Sequence, residues 1–367
     1  MSIFVIIFSM NLPSLKQIAF YLPQFYPFEE NNKFWGEGFT EWTNVKRAKP
    51  QFLGHKQPTL PKAGFYDFSD RQVLINQMQV ASTYSISAFC IYSYWFSGRR
   101  VMTKVFDHLL NSTDTPINFC LCWANESWTK RWDGSESQVL IEQKHDPIFD
   151  ANFIDDHLDI LQHPNYFKVN GLPLLLIYRS DILSDQRQTI RNIRTRARLL
   201  GLGELHIAMV QTFGNFDPQP GGFDSAVQFP PHNIQAIGAR NVETHNGFQG
   251  RIFDYESMIL NSVISRQDYR SFPGVMPGWD NTPRRMSSSN IYTGATKDNF
   301  IWWLKQQWES AIENGFPTED VLLFVNAWNE WAEGAQLEPS MDDDFDKLDA
   351  ILEAYNYALD FCLGRSR

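Results

Sequence analysis

The stretch "VLLFVNAWNEWAEGAQLEP", residues 321–339, decides the fold. From Val321 to Trp328 it is apolar except for Asn326. A continuous apolar run without alternation is the mark of a strand covered on both faces, as in a parallel sheet. Two carboxylates follow at once, Glu330 and Glu333, interleaved with Trp328 and Trp331. Acids and indoles at the end of a buried strand suit α/β folds that carry their chemistry at the carboxyl ends of the strands.

Seven similar runs precede it. They are "KQIAFYL" (16–22), "ISAFCIY" (86–92), "PINFCLCW" (116–123), "PLLLIY" (173–178), "LHIAMV" (205–210), "FDSAVQF" (223–229) and "FPGVMPG" (272–278). Helix-like segments lie between them. "SDRQVLINQMQVASTYS" (69–85) opens on a serine cap. "DILSDQRQTIRNIRTRARLLGLG" (181–203) and "KDNFIWWLKQQWESAIENG" (297–315) stop at glycine. Eight strands alternating with helices predict an α/β protein, a (β/α)8 TIM barrel of one domain with elaborated βα loops. The helix after the sixth strand is poorly defined, and a doubly wound sheet is the alternative. The catalytic domain is expected over 16–367, with residues 1–15 an extension outside the fold and Met10 an alternative start.

Composition narrows the function. The 367 residues are 43% hydrophobic and carry a formal charge of −10 with no basic patch, which argues against nucleic acid and against an anionic membrane surface. "IFVIIF" near the start is too short to span a bilayer and lacks the basic flank of a signal peptide. Cys90, Cys120, Cys122 and Cys362 form no CxxC pair and no zinc spacing, so they read as reduced thiols of a cytoplasmic protein. The histidines make no HExxH, and His206 reads as a core residue. "DDD" at 342–344 resembles the Asp-x-Asp metal motif of nucleotide-sugar transferases. It follows the last strand and precedes a helix, and reads instead as a solvated acidic cap. No metal and no cofactor is expected, and the oligomeric state is open.

Nine of the 12 tryptophans fall at strand ends or in the long first loop: Trp35, Trp42, Trp95, Trp123, Trp128, Trp132, Trp279, Trp328 and Trp331. Such crowding suits a cleft that stacks flat, partly apolar ligands, and sugars fit that description. Ordinary loop packing is the bland reading. Glu330 and Glu333 would face opposite ways on a straight strand, so they converge only if the chain turns after Trp328, as Gly334 and Pro339 suggest. A glycosidic bond needs one acid held protonated and one ionised, and mutual repulsion with an apolar wall separates their pKa values. Glu330 and Glu333 are therefore the catalytic candidates. The substrate-binding candidates are Tyr94 and Trp95 after the second strand, then Trp123, Asn125, Glu126 and Trp128 about the third. Trp279, Asp280 and Arg284 follow the seventh, and Trp328 and Asn329 close the eighth. Asp280 and Arg284 read equally as a structural ion pair across the barrel mouth. Glu37 and Glu41 in the first loop read as cleft residues or as loop fixers.

The segments "AFYLPQFYP", "FWGEGFTEWTNV", "CLCWANESWTKRWDG", "GWDNTPRR" and "NAWNEWAEGAQLEP" together resemble the WbsX-type family found among bacterial surface-polysaccharide (O-antigen) biosynthesis genes and labelled glycosyltransferases. The resemblance runs from about residue 16 to 355. That family is in turn similar to glycoside hydrolase family 99, the endo-α-mannosidases and mannanases, which are (β/α)8 barrels with two glutamates in an Asn-Glu-Trp-x-Glu-Gly pattern. Here the pattern is Asn329 to Gly334. The resemblance implies that Glu330 deprotonates a sugar 2-hydroxyl, that Glu333 acts as acid and then base, and that configuration is retained on manno- or rhamno-type sugars. The chain departs from the pattern at Ala332, Ser93 and Tyr26, where histidine is usual, and in the irregular "MDDDFDKLDA". The resulting expectation is an enzyme acting on glycosidic bonds of an oligo- or polysaccharide, as retaining hydrolase or transglycosidase. The alternatives are a nucleotide-sugar-dependent glycosyltransferase of O-antigen or lipopolysaccharide synthesis, which has no Gly-rich phosphate loop to support it, and a glycan-binding protein with reduced turnover.

Overall fold

The computed structural model describes residues 13–129, 139–239, 242–262, 267–314 and 320–364. Residues 1–12, with Met10, and Trp132 lie outside the described residues. Nine parallel strands form the centre: β1 Leu15–Tyr21, β2 Ile86–Phe96, β3 Asn118–Trp123, β4 Leu172–Ile177, β5 His206–Gln211, β6 Ser225–Gln228, β7 Ser271–Phe272, β8 Gly274–Val275 and β9 Val321–Val325. Their order is β7-β6-β5-β4-β3-β2-β1-β9-β8. Residues on β1 pair with both neighbours, Ile18 opposite Phe324 and Phe20 opposite Cys90.

Only Pro273 separates β7 from β8, so the two ends of this path meet in one chain segment and the sheet closes as a barrel. β7 pairs with β6, and β8 pairs with β9. The eight strand-like runs of the sequence are all present, but the seventh is not one strand over 272–278. Proline has no N–H for the ladder, and the segment changes partner there, the Pro273 carbonyl accepting from the Phe324 amide at 2.9 Å.

Continuous apolar runs give strands with no solvent face. All six residues of β5 and all five of β9 are buried. Phe20, Phe229 and Phe324 fill the interior, with Phe20 edge-on to Phe229 at 4.8 Å between centroids. Helices α2 Arg71–Thr83, α3 Gln186–Leu199, α4 Tyr255–Asn261, α6 Lys297–Asn314 and α7 Asp346–Cys362 cover the outside, while the short α1 Glu41–Arg47 and α5 Thr282–Arg285 pack against each other where β9 leaves the barrel. α3 shows why they form. Thr189, Ile190, Ile193 and Ala197 recur at helical spacing and are buried, while the Asp185 side chain caps the first turn by accepting from the Gln188 amide at 2.9 Å. Each buried isoleucine contributes about 1.5–3 kcal/mol and the cap about 1 kcal/mol.

Two expectations are corrected. α2 is capped by Asp70, whose carboxylate accepts from the Gln72 amide, and not by the preceding serine. The irregular connection is the one from β5 to β6, where residues 212–224 carry no helix. After β6, α4 forms at the end of a long loop. No helix among the described residues is long and apolar enough to cross a membrane.

Candidate active site

The acids sit where β9 leaves the barrel. After Trp328 the chain forms a tight hairpin: Asn329–Glu330 pairs antiparallel with Ala335–Gln336, and Trp331–Glu333 makes a 3₁₀ turn between them. Residues three apart eclipse in a 3₁₀ turn, so Glu330 and Glu333 come to one side. The turn ends at Gly334, whose φ of +64° is left-handed. A side chain there would put its Cβ 2.8 Å from the Asp280 amide nitrogen. The Asp280 amide donates to the Glu333 carbonyl at 2.6 Å, which ties the hairpin tip to the segment after β8. At its base, Asn329 clasps the end of β1, accepting from the Leu22 amide at 2.7 Å and donating to the Leu22 carbonyl at 3.0 Å.

One guanidinium gathers three carboxylates. Arg284, on α5, donates through Nη1 to Glu333 Oε1 at 2.5 Å and through Nη2 to Glu330 Oε2 at 3.0 Å. Its Nε and Nη2 reach Glu41 Oε2 at 3.1 and 2.8 Å. Glu41 opens α1, is fully buried, and also accepts from Asn44 Nδ2 at 2.7 Å. Burial is the largest influence on both hairpin acids and raises them against the pull of Arg284. Glu330 is pushed up to about 8, with the charges of Glu333 and Glu41 adding to the rise. Glu333 moves in the same direction, with its side chain 21% exposed and Arg285 adding a weaker attraction. The cluster therefore holds a proton near neutral pH, shared by the pair.

Tyrosines wall the acids. Tyr92 and Tyr94 alternate on β2 and so share a face, and Tyr178 leaves β4 with its ring 6.1 Å from that of Tyr92. Burial, helped by nearby glutamate charge, keeps all three phenols protonated well above their ordinary value. The opposite face of β2 carries Ser93 and Trp95 to the helical layer. Ser93 Oγ lies 2.7 Å from His157 Nε2, and the other ring nitrogen of His157 lies 2.8 Å from the Phe153 carbonyl. Burial lowers His157 to about 3, so it is neutral.

The remaining sequence candidates divide. Trp279 and Tyr94 are half-buried near the acids, while Trp95, Trp123, Trp128 and Trp328 are buried. Trp95 packs edge-on to Trp123 at 5.5 Å and donates to Asp156 at 2.6 Å, and Trp128 stacks between Phe96 and Phe28. Asn125 is buried and exchanges two 2.8 Å bonds with the backbone of Arg179. Glu126 pairs with the Arg179 side chain. Asp280 does not pair with Arg284. Its carboxylate receives Gln57 at 2.5 Å, His55 at 2.7 Å and the Thr282 hydroxyl at 2.5 Å. His206 is buried against Ser225 at 2.8 Å, and Asp342 and Asp344 are exposed in the turn before α7. Tyr92, Tyr178 and Glu338 escaped the sequence reading. The signal for Tyr92 was its spacing of two from Tyr94; the signal for Tyr178 was its place at a strand exit. Among the described residues no group of His, Cys, Asp or Glu is arranged to hold a metal ion.

Comparison with known proteins gives the family. The family model described as Glycosyltransferase WbsX matches residues 17–351. The uncharacterized protein WxcX of Xanthomonas campestris pv. campestris strain B100 is 42% identical over 347 residues, which is 94% of this chain and 50% of the relative. The chain thus spans about half the length of the curated relatives it matches. Among solved structures, the GH99 endo-alpha-mannosidase from Bacteroides thetaiotaomicron superposes with a TM-score of 0.57 at 16% identity, over 95% of this chain and 98% of that one. A glycoside hydrolase-like protein gives 0.58 at 15% identity, over 95% of each. At such identities the likeness is one of fold.

Proposed function

The chain belongs to the WbsX glycosyltransferase family, and from that premise we propose that it makes or breaks glycosidic bonds through Glu330 and Glu333, as a retaining hydrolase or transglycosidase. The observation that carries the reading is the shared guanidinium: Arg284 holds both acids at once, and among the described residues it gathers three carboxylates. Such a cluster supplies one protonated and one ionised acid together, which this chemistry requires.

The proposed reaction starts from the state of the pair in which Glu333 carries the shared proton and Glu330 is ionised: Glu330 takes the proton of a sugar 2-hydroxyl, and that oxygen attacks the anomeric carbon of its own ring. Glu333 gives its proton to the departing glycosidic oxygen as that bond breaks. A water or an acceptor hydroxyl then loses its proton to Glu333 and bonds to the anomeric carbon, breaking that carbon's bond to the 2-oxygen and opening the three-membered ring, while the 2-oxygen recovers its proton from Glu330. Two inversions retain configuration. The axial 2-hydroxyl of manno- and rhamno-type sugars has the geometry for the first step. Glu333 is the more exposed acid, its side chain 21% exposed against 7% for Glu330, which suits the role toward the leaving group. We assign the chemistry to one catalytic domain that begins one residue earlier than the expected 16–367, because Leu15 is buried and pairs with Val321 as the first residue of β1, working in the cytoplasm on surface polysaccharide and needing neither metal nor nucleotide.

The test is mass spectrometry of bacterial surface glycans rich in mannose- and rhamnose-type sugars, incubated with wild type and Glu330→Gln, with and without nucleotide sugars. Shortened or redistributed chains without nucleotide, absent in the variant, are expected. Products that appear only with a nucleotide sugar would replace this reading by nucleotide-dependent transfer. Glycan binding without any product would leave a binder.

A further inference from the structure

A polar cavity opens at the exits of β3 and β4. It measures about 380 Å³ and is lined by Glu126, Ser127, Gln143, His145 and Arg179 among others, a size in the ~300–1,000 Å³ range of small-molecule sites. Gln143 is 8% exposed, yet among the described residues neither its Oε1 nor its Nε2 has a partner. A buried amide left unpaired costs about 1–3 kcal/mol, and such groups in native structures mark a missing partner. Its main chain is fixed, the Gln143 amide donating to Ser127 Oγ at 3.0 Å. His145, two residues on, is held between the Asn125 carbonyl at 2.9 Å and Asp150 at 3.2 Å. The wall is rigid and the open amide is built into it.

Charge on the wall is already neutralised. Arg179 is clasped by Asp181 at 2.7 Å through two nitrogens and also contacts Glu126. An anionic ligand would have to displace those carboxylates. The free groups are an amide acceptor beside an amide donor, which match one hydroxyl that donates and a neighbour that accepts. Tyr178, next in the chain to Arg179 of this cavity, has its ring 6.1 Å from that of Tyr92, in the tyrosine wall of the acids.

We infer that this cavity is a subsite for a neutral sugar ring of the glycan chain beyond the ring that reacts, with the Gln143 amide reading a pair of vicinal hydroxyls. The inference rests on the glycan reading above. It predicts a preference for chains over single rings that resides at Gln143. The probes are methyl glycosides and the matching di- and trisaccharides of mannose, rhamnose and glucose, observed by saturation-transfer NMR on wild type, Gln143→Ala and Gln143→Glu, each checked by circular dichroism for an unchanged fold. At least one trisaccharide is expected to bind wild type about tenfold more tightly than its methyl glycoside, and Gln143→Ala to lose that advantage while single-ring binding is unchanged. Gln143→Glu, which keeps an acceptor, should recover part of it. Equal chain preference in wild type and Gln143→Ala, equal loss for short and long ligands, or no binding of any member by wild type would overturn it. Turnover lost in Glu330→Gln but chain preference indifferent to Gln143 would leave the reaction standing and remove only the subsite.

Discussion

Arg284 is the residue on which the site turns, because its fork spans Glu330 and Glu333 while its other edge rests on Glu41. Lysine carries the same charge as a single point and cannot span two carboxylates. Arg284→Lys is therefore expected to fold and to lose about 10²–10³-fold in turnover, the usual loss when one aligned donor is removed, measured on whichever glycan the wild type processes. Undiminished turnover would mean that the fork does not set the acids. The shared proton gives a second expectation. Glu330 is raised to about 8, so the pair keeps its proton below that pH and loses it above, and kcat should fall as pH rises through about 8. The same shift bears on stability. The folded protein holds a proton that the unfolded chain releases near the ordinary glutamate value of about 4.3, so this contribution is fully present below that value and is lost as pH rises to about 8. Wild type should accordingly gain less stability, or lose more, between pH 5 and pH 8 than Glu330→Gln does. Identical pH trends in urea denaturation of the two proteins would contradict the raised carboxyl.

At the scale of the element, the hairpin after β9 turns a sequence spacing into a site, and it depends on two supports. One is Gly334, where a left-handed φ and a 2.8 Å approach to Asp280 both exclude a side chain. Gly334→Ala is expected to cost about 2–4 kcal/mol, from strain and overpacking, and to lower turnover by moving Glu333. Wild-type stability in chemical denaturation would refute the close approach. The other is Glu338, buried beneath the hairpin, where its carboxylate accepts from Trp331 Nε1 at 2.6 Å, Tyr66 at 2.7 Å and Gln77 at 2.7 Å. Burial raises it to about 7 although these three donors favour the charged form. The turn after Trp328 was legible beforehand in Gly334 and Pro339, while the spacing alone puts the two acids on opposite faces of a straight strand, so that their convergence hung on that turn. The tryptophans were less legible, because position at a strand end does not say which face of the strand a ring takes. Trp95 falls one residue after Tyr94, and the period of two sends it to the helical layer while Tyr94 faces the acids. Glu41 and Arg284 were in view as candidates. Their meeting, across 243 residues of chain, is a tertiary fact that no local pattern encodes.

At the scale of the whole molecule, closure of the barrel determines whether these pieces meet at all. The strands were readable because both of their faces are buried, which makes their sequences continuously apolar. The seam was not readable, because a proline and a glycine look like a turn and here serve as a change of partner. At the seam Gly274 lies against β6 so closely that an added Cβ would stand 2.1 Å from the Gln228 carbonyl oxygen and 2.8 Å from its carbon. These are backbone atoms, and they cannot swing aside as the end of a side chain does. The Gly274 amide also donates to Gln228 Oε1 at 3.1 Å inside the barrel, which ties the segment further to β6. Relief of the clash must part β8 from β6, and the chain leaving β8 is the one that carries Trp279, Asp280 and Arg284 to the acids. Gly274→Ala is therefore expected to cost about 3 kcal/mol or more, at the upper end of overpacking effects, and to lower turnover with stability. Gly238 is the control, because among the described residues a Cβ there would meet only the Ile252 carbonyl at an ordinary 3.8 Å, and Gly238→Ala should stay within about 0.5 kcal/mol of wild type. Denaturant unfolding of the two variants side by side decides the matter. If Gly274→Ala is as stable and as active as Gly238→Ala, the segment around Pro273 is not where the barrel closes, and Arg284 must be held over the acids by the hairpin and α1 alone.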